Sequence, residues 1–341
     1  MGGTPERFEA AARRGIDWIL AQQRADGSFC DAADGIGAYY KVPYALGLSG
    51  HPRQAARLAR WIAAHHRAAE GDFGLDETVS GEAGAAGARH EHWPTYRQAW
   101  LVLGLHRLGR YDLSLPGARF LLRHQLPDGG FYATEGDEQF LEPVCTSWSG
   151  AACLATGHME AAVAAGDTLV RMVEAQTDPQ RFYFRMTAAG QLITEVPAGE
   201  ELYHFVDAGR AEQIYYNPGI ALIFLAHLYR ATGTEAYLQA SHRLLDFAER
   251  CAADAYRFPP SGKLGLGCAL LYELSGREEA RRGACALGEY LLETQTPQGT
   301  WALPDAGPYR GAKYRGNPAI DLDITAEFSV FLTEIAARLT A

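Results

Sequence analysis

A short sentence recurs along this chain: an amphipathic helix, a glutamine, a polar turn containing glycine, then an aromatic ring. It reads RGIDWILAQQRADGSF over Arg14–Phe29, ARFLLRHQLPDGGF over Ala118–Phe131 and GEYLLETQTPQGTW over Gly288–Trp301. Looser copies end at Phe73, Phe182 and Phe258, so the closing aromatics follow one another at 44, 58, 51, 76 and 43 residues. A second helical stretch rich in small residues follows each copy, roughly Gly37–Leu48, Thr95–Leu108, Thr146–Ala155, Pro218–Ala231, Leu264–Leu274 and Ile324–Leu339. Repeats of this length imply stacked or closed supersecondary units. Small residues suit an inner ring where helices crowd, and arginine-rich amphipathic helices suit an outer one. The last helix is as apolar as the others and has no polar capping face, which predicts closure. The expected fold is therefore all-α, an (α/α)6 toroid of six helical hairpins spanning residues 1–341 as one domain.

The turn glycine permits a positive φ, the glutamine amide can bond exposed backbone at a helix end, and the ring covers the hairpin tip. These are scaffold features. The bulk numbers exclude some functions. With 48% hydrophobic and 21% charged residues the chain can bury a sizeable core. A net charge of −10 with no basic stripe sets nucleic-acid binding aside. Without an 18-residue apolar run or a charged-then-apolar start, no membrane span or signal peptide is expected, and the reading is cytoplasmic. The six scattered cysteines read as buried free thiols.

Gln22, Gln23, Gly27 and Phe29, with Gln125, Gly129, Phe131, Gln295, Gly299 and Trp301, resemble the Gln-Trp repeats of the squalene cyclase and prenyltransferase β-subunit superfamily, over nearly the whole chain. That resemblance implies an α/α toroid and leaves the reaction open; similar toroids include sugar epimerases, unsaturated glucuronyl hydrolases and a dehydratase-isomerase acting on linalool. The stretch Asp321-Leu322-Asp323-Ile324-Thr325-Ala326 looks like the DxDD-T-A stretch of class II terpene cyclases, with Ile324 in place of the final Asp. By that likeness Asp323 is the proton donor and Asp321 its partner.

Inner helices of such a cup enter from one rim, so polar residues near their N-termini should converge. The candidates are Tyr39, Tyr40, Lys41 and Tyr44; then His90, Glu91, His92, Trp93, Tyr96 and Arg97; Glu142, Cys145, Thr146 and Trp148; Tyr203, His204, Asp207, Glu212, Tyr215, Tyr216 and Asn217; and Tyr309, Tyr314, Arg315, Asn317, Asp321, Asp323 and Glu327. The fifth inner helix offers little beyond Gly265, Gly267 and Cys268. Tyr40 with Tyr44, His92 with Tyr96, and Asp323 with Glu327 stand four apart and can share a helix face. Each has a plainer reading: acidic caps for Asp321 and Asp323, core rings for the tyrosines, a solvated loop for His90 and His92, a small buried side chain for Cys145. No phosphate loop, dinucleotide fingerprint or suitably spaced Asp, Cys and His set appears, so neither cofactor nor metal is expected. The leading expectation is a cofactor-independent acid–base enzyme for an isoprenoid-like or polyene small molecule. Asp323 gives the proton, while His92, Glu327 or Cys145 takes one. Tyr40, Tyr44, Trp93, Trp148 and Tyr216 steady positive charge, and Tyr96, Arg97, His204, Asn217 and Tyr314 complete the binding surface. A carbohydrate-active enzyme for uronic acids, with Arg97, Arg315 and Lys41 on the carboxylate and His92 and His204 exchanging protons, is the alternative. A non-enzymatic helical binding module is the third reading. Oligomeric state is not legible.

Overall fold

Proline marks where inner helices begin. Pro43, Pro94, Pro143 and Pro318 each occupy the first or second helical position, where the missing N–H costs no hydrogen bond and the fixed φ suits the helix. The computed structural model describes residues 4–31, 37–66, 69–73, 93–133, 140–311, 314 and 316–340. Within them the α-helices, in chain order, are α1 (Thr4–Gln22), α2 (Val42–Leu48), α3 (Pro52–His65), α4 (Pro94–Arg107), α5 (Tyr111–Arg123), α6 (Pro143–Ala155), α7 (Met159–Glu174), α8 (Tyr216–Thr232), α9 (Glu235–Ala248), α10 (Gly262–Ser275), α11 (Glu278–Thr294) and α12 (Pro318–Leu339).

The even-numbered helices form the inner ring. Each packs on the next, α2 on α4, α4 on α6, α6 on α8, α8 on α10 and α10 on α12, and α12 returns to α2 to close it. Each odd-numbered helix from α3 to α11 backs the inner helix before it, and α1 backs α12, so the two ends of the chain are joined in one hairpin-like pair. Small residues make the crowding possible. A Cβ on Gly219 of α8 would stand 2.3 Å from the backbone nitrogen of Leu264 in α10.

The repeated glutamines fasten the outer ring. Gln125 donates to the carbonyl of Gly129 in its own turn (2.9 Å) and to that of Ala161 in α7 (2.8 Å). Gln23 does the same to Gly27 and Gln54, and Gln295 to Gly299 and Ala11. Each amide thus ties its turn to the next outer helix, which explains the motif's recurrence. The turn glycines have nearly equal φ of 99°, 98° and 96° at Gly27, Gly129 and Gly299.

The long spacing after Phe182 contains a small antiparallel ribbon, β1 (Arg181–Tyr183) with β2 (Phe205–Asp207), pairing Phe182 with Val206. Met186 also bridges Leu141, at the start of α6. None of the six cysteines forms a disulfide; Cys251 and Cys285, on the outer ring, and Cys30, at the rim cavity, are only partly buried. Among the described residues no helix is long and apolar enough to cross a membrane.

Candidate active site

The even-numbered helices begin at one rim, and their first residues surround a cavity of about 670 Å³. Lys41 directly precedes α2, Trp93 directly precedes α4, Tyr216 and Lys263 stand at the starts of α8 and α10, and Asp323 and Glu327 lie one turn apart on α12. Positions four apart on a helix share a face. Both carboxyls therefore reach the same lysine: Lys41 Nζ is 2.8 Å from Asp323 Oδ2 and 3.0 Å from Glu327 Oε2. Lys263 Nζ donates to Glu327 Oε1 at 2.6 Å, and the Tyr96 hydroxyl donates to the same oxygen at 3.3 Å. The floor of the cavity is thus a chain of alternating charge, Asp323–Lys41–Glu327–Lys263.

Burial alone would disfavour every charge in this chain, and the neighbours decide which survive. Burial works to raise Glu327, but the Lys263 and Lys41 ammoniums overcome it and hold the carboxyl at about 2. Burial pushes Asp323 above the ordinary carboxylate range, with Lys41 pulling against it and the Glu327 charge adding to the rise. Asp323 Oδ1 is buried with no hydrogen-bond partner among the described residues, an arrangement that suits a protonated carboxyl better than a carboxylate. Burial would also lower Lys41, yet Asp323 and Glu327 carry it well above its usual value. Lys263 moves the other way: burial lowers it, Glu327 restores only part, and Lys41 adds to the lowering.

Rings wall the site. Tyr40 meets Tyr96 edge-on with centroids 6.0 Å apart, and Trp93 meets Tyr216 at 5.9 Å. The Lys263 ammonium sits 5.6 Å from the Tyr96 ring, 5.5 Å from Tyr216 and 5.9 Å from Phe331.

Of the residues singled out from sequence, Asp323, Glu327, Tyr40, Lys41, Trp93, Tyr96, Arg97, Tyr216, Tyr309, Tyr314 and Asn317 border this cavity. Others go elsewhere. Asp321 is absent from the wall, because two residues along a helix turn a side chain by roughly 200°; the carboxyl bonded to the same lysine as Asp323 is Glu327. Tyr44 does not share a face with Tyr40, since Pro43 makes α2 begin at Val42 and leaves Tyr40 in the preceding turn. Its ring packs on Trp100 instead, at 5.5 Å. Trp148 lies behind the wall against Tyr96 and Trp100. Cys145 is fully buried outside the cavity wall, and burial pushes its thiol up to about 12, which unsuits it for taking a proton at neutral pH. Asn217 is buried beside the rim without bordering the cavity. His92, with His90 and Glu91, lies outside the described residues, as does Arg315.

His204 belongs to a second buried cluster. Arg185 donates to Glu142 Oε1 at 2.9 Å and to His204 Nε2 at 3.0 Å, while Trp93 Nε1 donates to Glu142 Oε2 at 3.2 Å. This cluster pins the β1–β2 connection to the start of α6 and, through Trp93, to the cavity wall. Sequence reasoning missed Arg185, which lies on a segment without helical period, and Lys263. The signal for Lys263 was present: a single charge inside Pro259-Pro260-Ser261-Gly262-Lys263-Leu264-Gly265-Leu266, an otherwise uncharged run. Among the described residues no group of three or more metal-ligating side chains comes together.

No family model and no curated protein matches the sequence. Solved structures do match the fold. A D-mannose isomerase superposes with a TM-score of 0.68 at 11% identity, covering 96% of each chain. A GH76 α-mannanase from Bacteroides thetaiotaomicron gives 0.64 at 12%, covering 98% of this chain and 97% of that one. A type II terpene cyclase from Scytonema, in complex with merosterolic acid A, gives 0.58 at 16%, covering 98% and 99%. The chain is a six-hairpin α/α toroid. An isomerase, glycoside hydrolases and a cyclase all share this scaffold, so the reaction has to be argued from the side chains at the rim.

Proposed function

We propose that the rim cavity is the active site of an acid–base enzyme that needs no cofactor and acts on a mainly apolar small molecule, by isomerisation, dehydration or cyclisation of an isoprenoid-like or polyene substrate. Asp323 is the proton donor. The observation that carries this reading is a shielded carboxyl, raised by burial, bonded through one oxygen to an ammonium and bordering an aromatic-walled cavity. Burial and the Glu327 charge keep the proton on Asp323 between turnovers. Lys41 on Oδ2 stabilises the carboxylate left when the proton departs, so retention and release are served by different neighbours. The terminal carboxyl torsion is broad and roughly two-fold, so a turn about χ2 exchanges Oδ1 and Oδ2 at the cavity. The Tyr40, Tyr96, Trp93 and Tyr216 rings suit a cationic intermediate, at about 0.5–2 kcal/mol for each ring face.

Asp323→Asn tests the assignment. A substrate is first captured from small-molecule extracts and identified by mass spectrometry. Turnover is then expected to fall about 10²–10⁴-fold, the usual worth of a positioned acid; unchanged turnover would remove Asp323 from the chemistry. The carbohydrate reading draws on the Lys41–Glu327–Lys263 charges, which could hydrogen-bond a polyol, and on the likeness in fold to the mannose isomerase and the mannanase. Capture of a uronic acid or other sugar in place of an apolar ligand would favour it.

A further inference from the structure

The chain spends 28 arginines and only three lysines on its positive charge. Two of the three, Lys41 and Lys263, are buried at the cavity; the third, Lys313, is outside the described residues. At the second buried cluster the positive charge is a guanidinium, Arg185 on Glu142. Guanidinium cannot give up its proton, whereas an amine can, and a neutral amine is a nucleophile. A lysine at the cavity can therefore take part in chemistry that an arginine cannot. The two lysines are not equivalent. Lys41 is clamped between two carboxyls and Lys263 touches one. Lys263 is further surrounded by the faces of Tyr96, Tyr216 and Phe331, and a second ammonium shares its carboxylate. Desolvation and a neighbouring cation are the two devices that turn lysine into a nucleophile.

We infer that Lys263 forms an imine with an aldehyde or ketone carbon of a mainly apolar substrate in this cavity. The neutral Nζ attacks the carbonyl carbon, forming the C–N bond as the C=O π pair moves to oxygen. Both amine hydrogens are relayed by Glu327 to that oxygen, which leaves as water, and the C=N bond remains; hydrolysis reverses each step. Glu327 can serve as the relay because, once Lys263 is neutral, one of the two ammoniums that hold the carboxyl low is gone. In the protonated imine the positive charge stays among the same three rings, where cation–π attraction holds it. The inference rests on the rim cavity being the substrate site and is independent of Asp323 as the acid.

Reductive trapping on the full-length protein tests it, with cinnamaldehyde as the probe and cyanoborohydride to fix any imine as a secondary amine, located by peptide mass spectrometry. With three lysines and the N-terminus as the only primary amines, the map is unambiguous. At neutral pH the adduct is expected on Lys263 in preference to Lys41 and Lys313, since burial and the Lys41 charge favour the free amine at Lys263 while Asp323 and Glu327 hold Lys41 charged. Lys263→Arg should abolish the label and Lys313→Arg should leave it. Formaldehyde, small enough for any opening, is the second probe. Failure of both to label Lys263 above Lys313 overturns the amine, and labelling by formaldehyde alone overturns the apolar carbonyl class. Trapping that fails while Asp323→Asn still abolishes turnover removes the imine and leaves the acid; the converse removes the acid.

Discussion

Glu327→Gln is the sharpest test of the charge chain at the cavity floor, because it needs no substrate. The glutamine keeps the shape of the side chain and removes the one charge bonded to both lysines. In the folded protein the Glu327 carboxyl ionises at about 2, against 4.5 in an unstructured chain. That depression, roughly two and a half pH units at about 1.4 kcal/mol each, amounts to about 3 kcal/mol. The general cost of stranding a buried charge by deleting its partner, about 3–5 kcal/mol, agrees. The sign follows from the direction. An acid held low by folding adds stability above its unfolded value and loses that contribution as pH falls through its folded value. The gap between wild type and Glu327→Gln should therefore be about 3 kcal/mol near neutrality, about half that around pH 3, and vanish below about pH 2. Urea unfolding followed by tryptophan fluorescence over this range measures it. A gap under about 1 kcal/mol at neutrality, or one that stays constant into acid, would refute the electrostatic account of Glu327.

Asp323→Asn should behave oppositely in stability. Its folded carboxyl is raised, so its ionisation costs stability as pH rises from the unfolded value through the folded one; the asparagine escapes that loss, and the variant should gain on wild type over this window in the same urea series. Gly129→Ala should cost well over about 1 kcal/mol, since it forces alanine to a φ of 98° and sets its Cβ 2.3 Å from the Ala164 carbonyl oxygen. Gly157→Ala, with a φ of 84° and nothing within 4 Å, should cost only about 1 kcal/mol; equal melting temperatures for the two would show that the turn does not press on α7. Arg185→Ala leaves Glu142 buried without its guanidinium partner and held by Trp93 Nε1, at a cost of about 3–5 kcal/mol, and should free the β1–β2 connection. Limited proteolysis between residues 181 and 207 reads this directly, and an unchanged cleavage rate would contradict the pinning role.

The ring was legible because its instructions are local. A glutamine that must reach a glycine carbonyl four residues on, and a glycine that must take a positive φ, leave a mark in sequence at three of the turns, and with the looser copies ending at Phe73, Phe182 and Phe258 they give the hairpin count. Helix starts were readable within a few residues except at α2, where Gly37–Tyr40 looked helical and Pro43 decides otherwise, and at α12, which begins at Pro318, well before Ile324. The ribbon of Arg181–Tyr183 and Phe205–Asp207 was not readable. Three-residue strands carry no measurable period, and only the 76-residue gap between Phe182 and Phe258 hinted at inserted chain.

The site was legible where one helix fixed both residues and obscure where two elements had to meet. Asp323 and Glu327 fall on one face by helix period alone, and the shared rim gathers Tyr40, Trp93, Tyr96, Arg97 and Tyr216 without detailed geometry. Rotation about a helix axis is set by packing, which is why Trp148 and Asn217 could be assigned to the right level and still stand outside the cavity. Lys263 is the instructive omission. A lysine at a helix start ordinarily points to water, and only the ring places Glu327 2.6 Å from its amine. Yet the chain's composition already distinguished it: 28 of 31 basic residues are arginine, so a lysine is unusual here. Residue usage read against the chain's own composition thus singles out a position that periodicity passes over, and its partner in the structure, Glu327, is one that periodicity had already found.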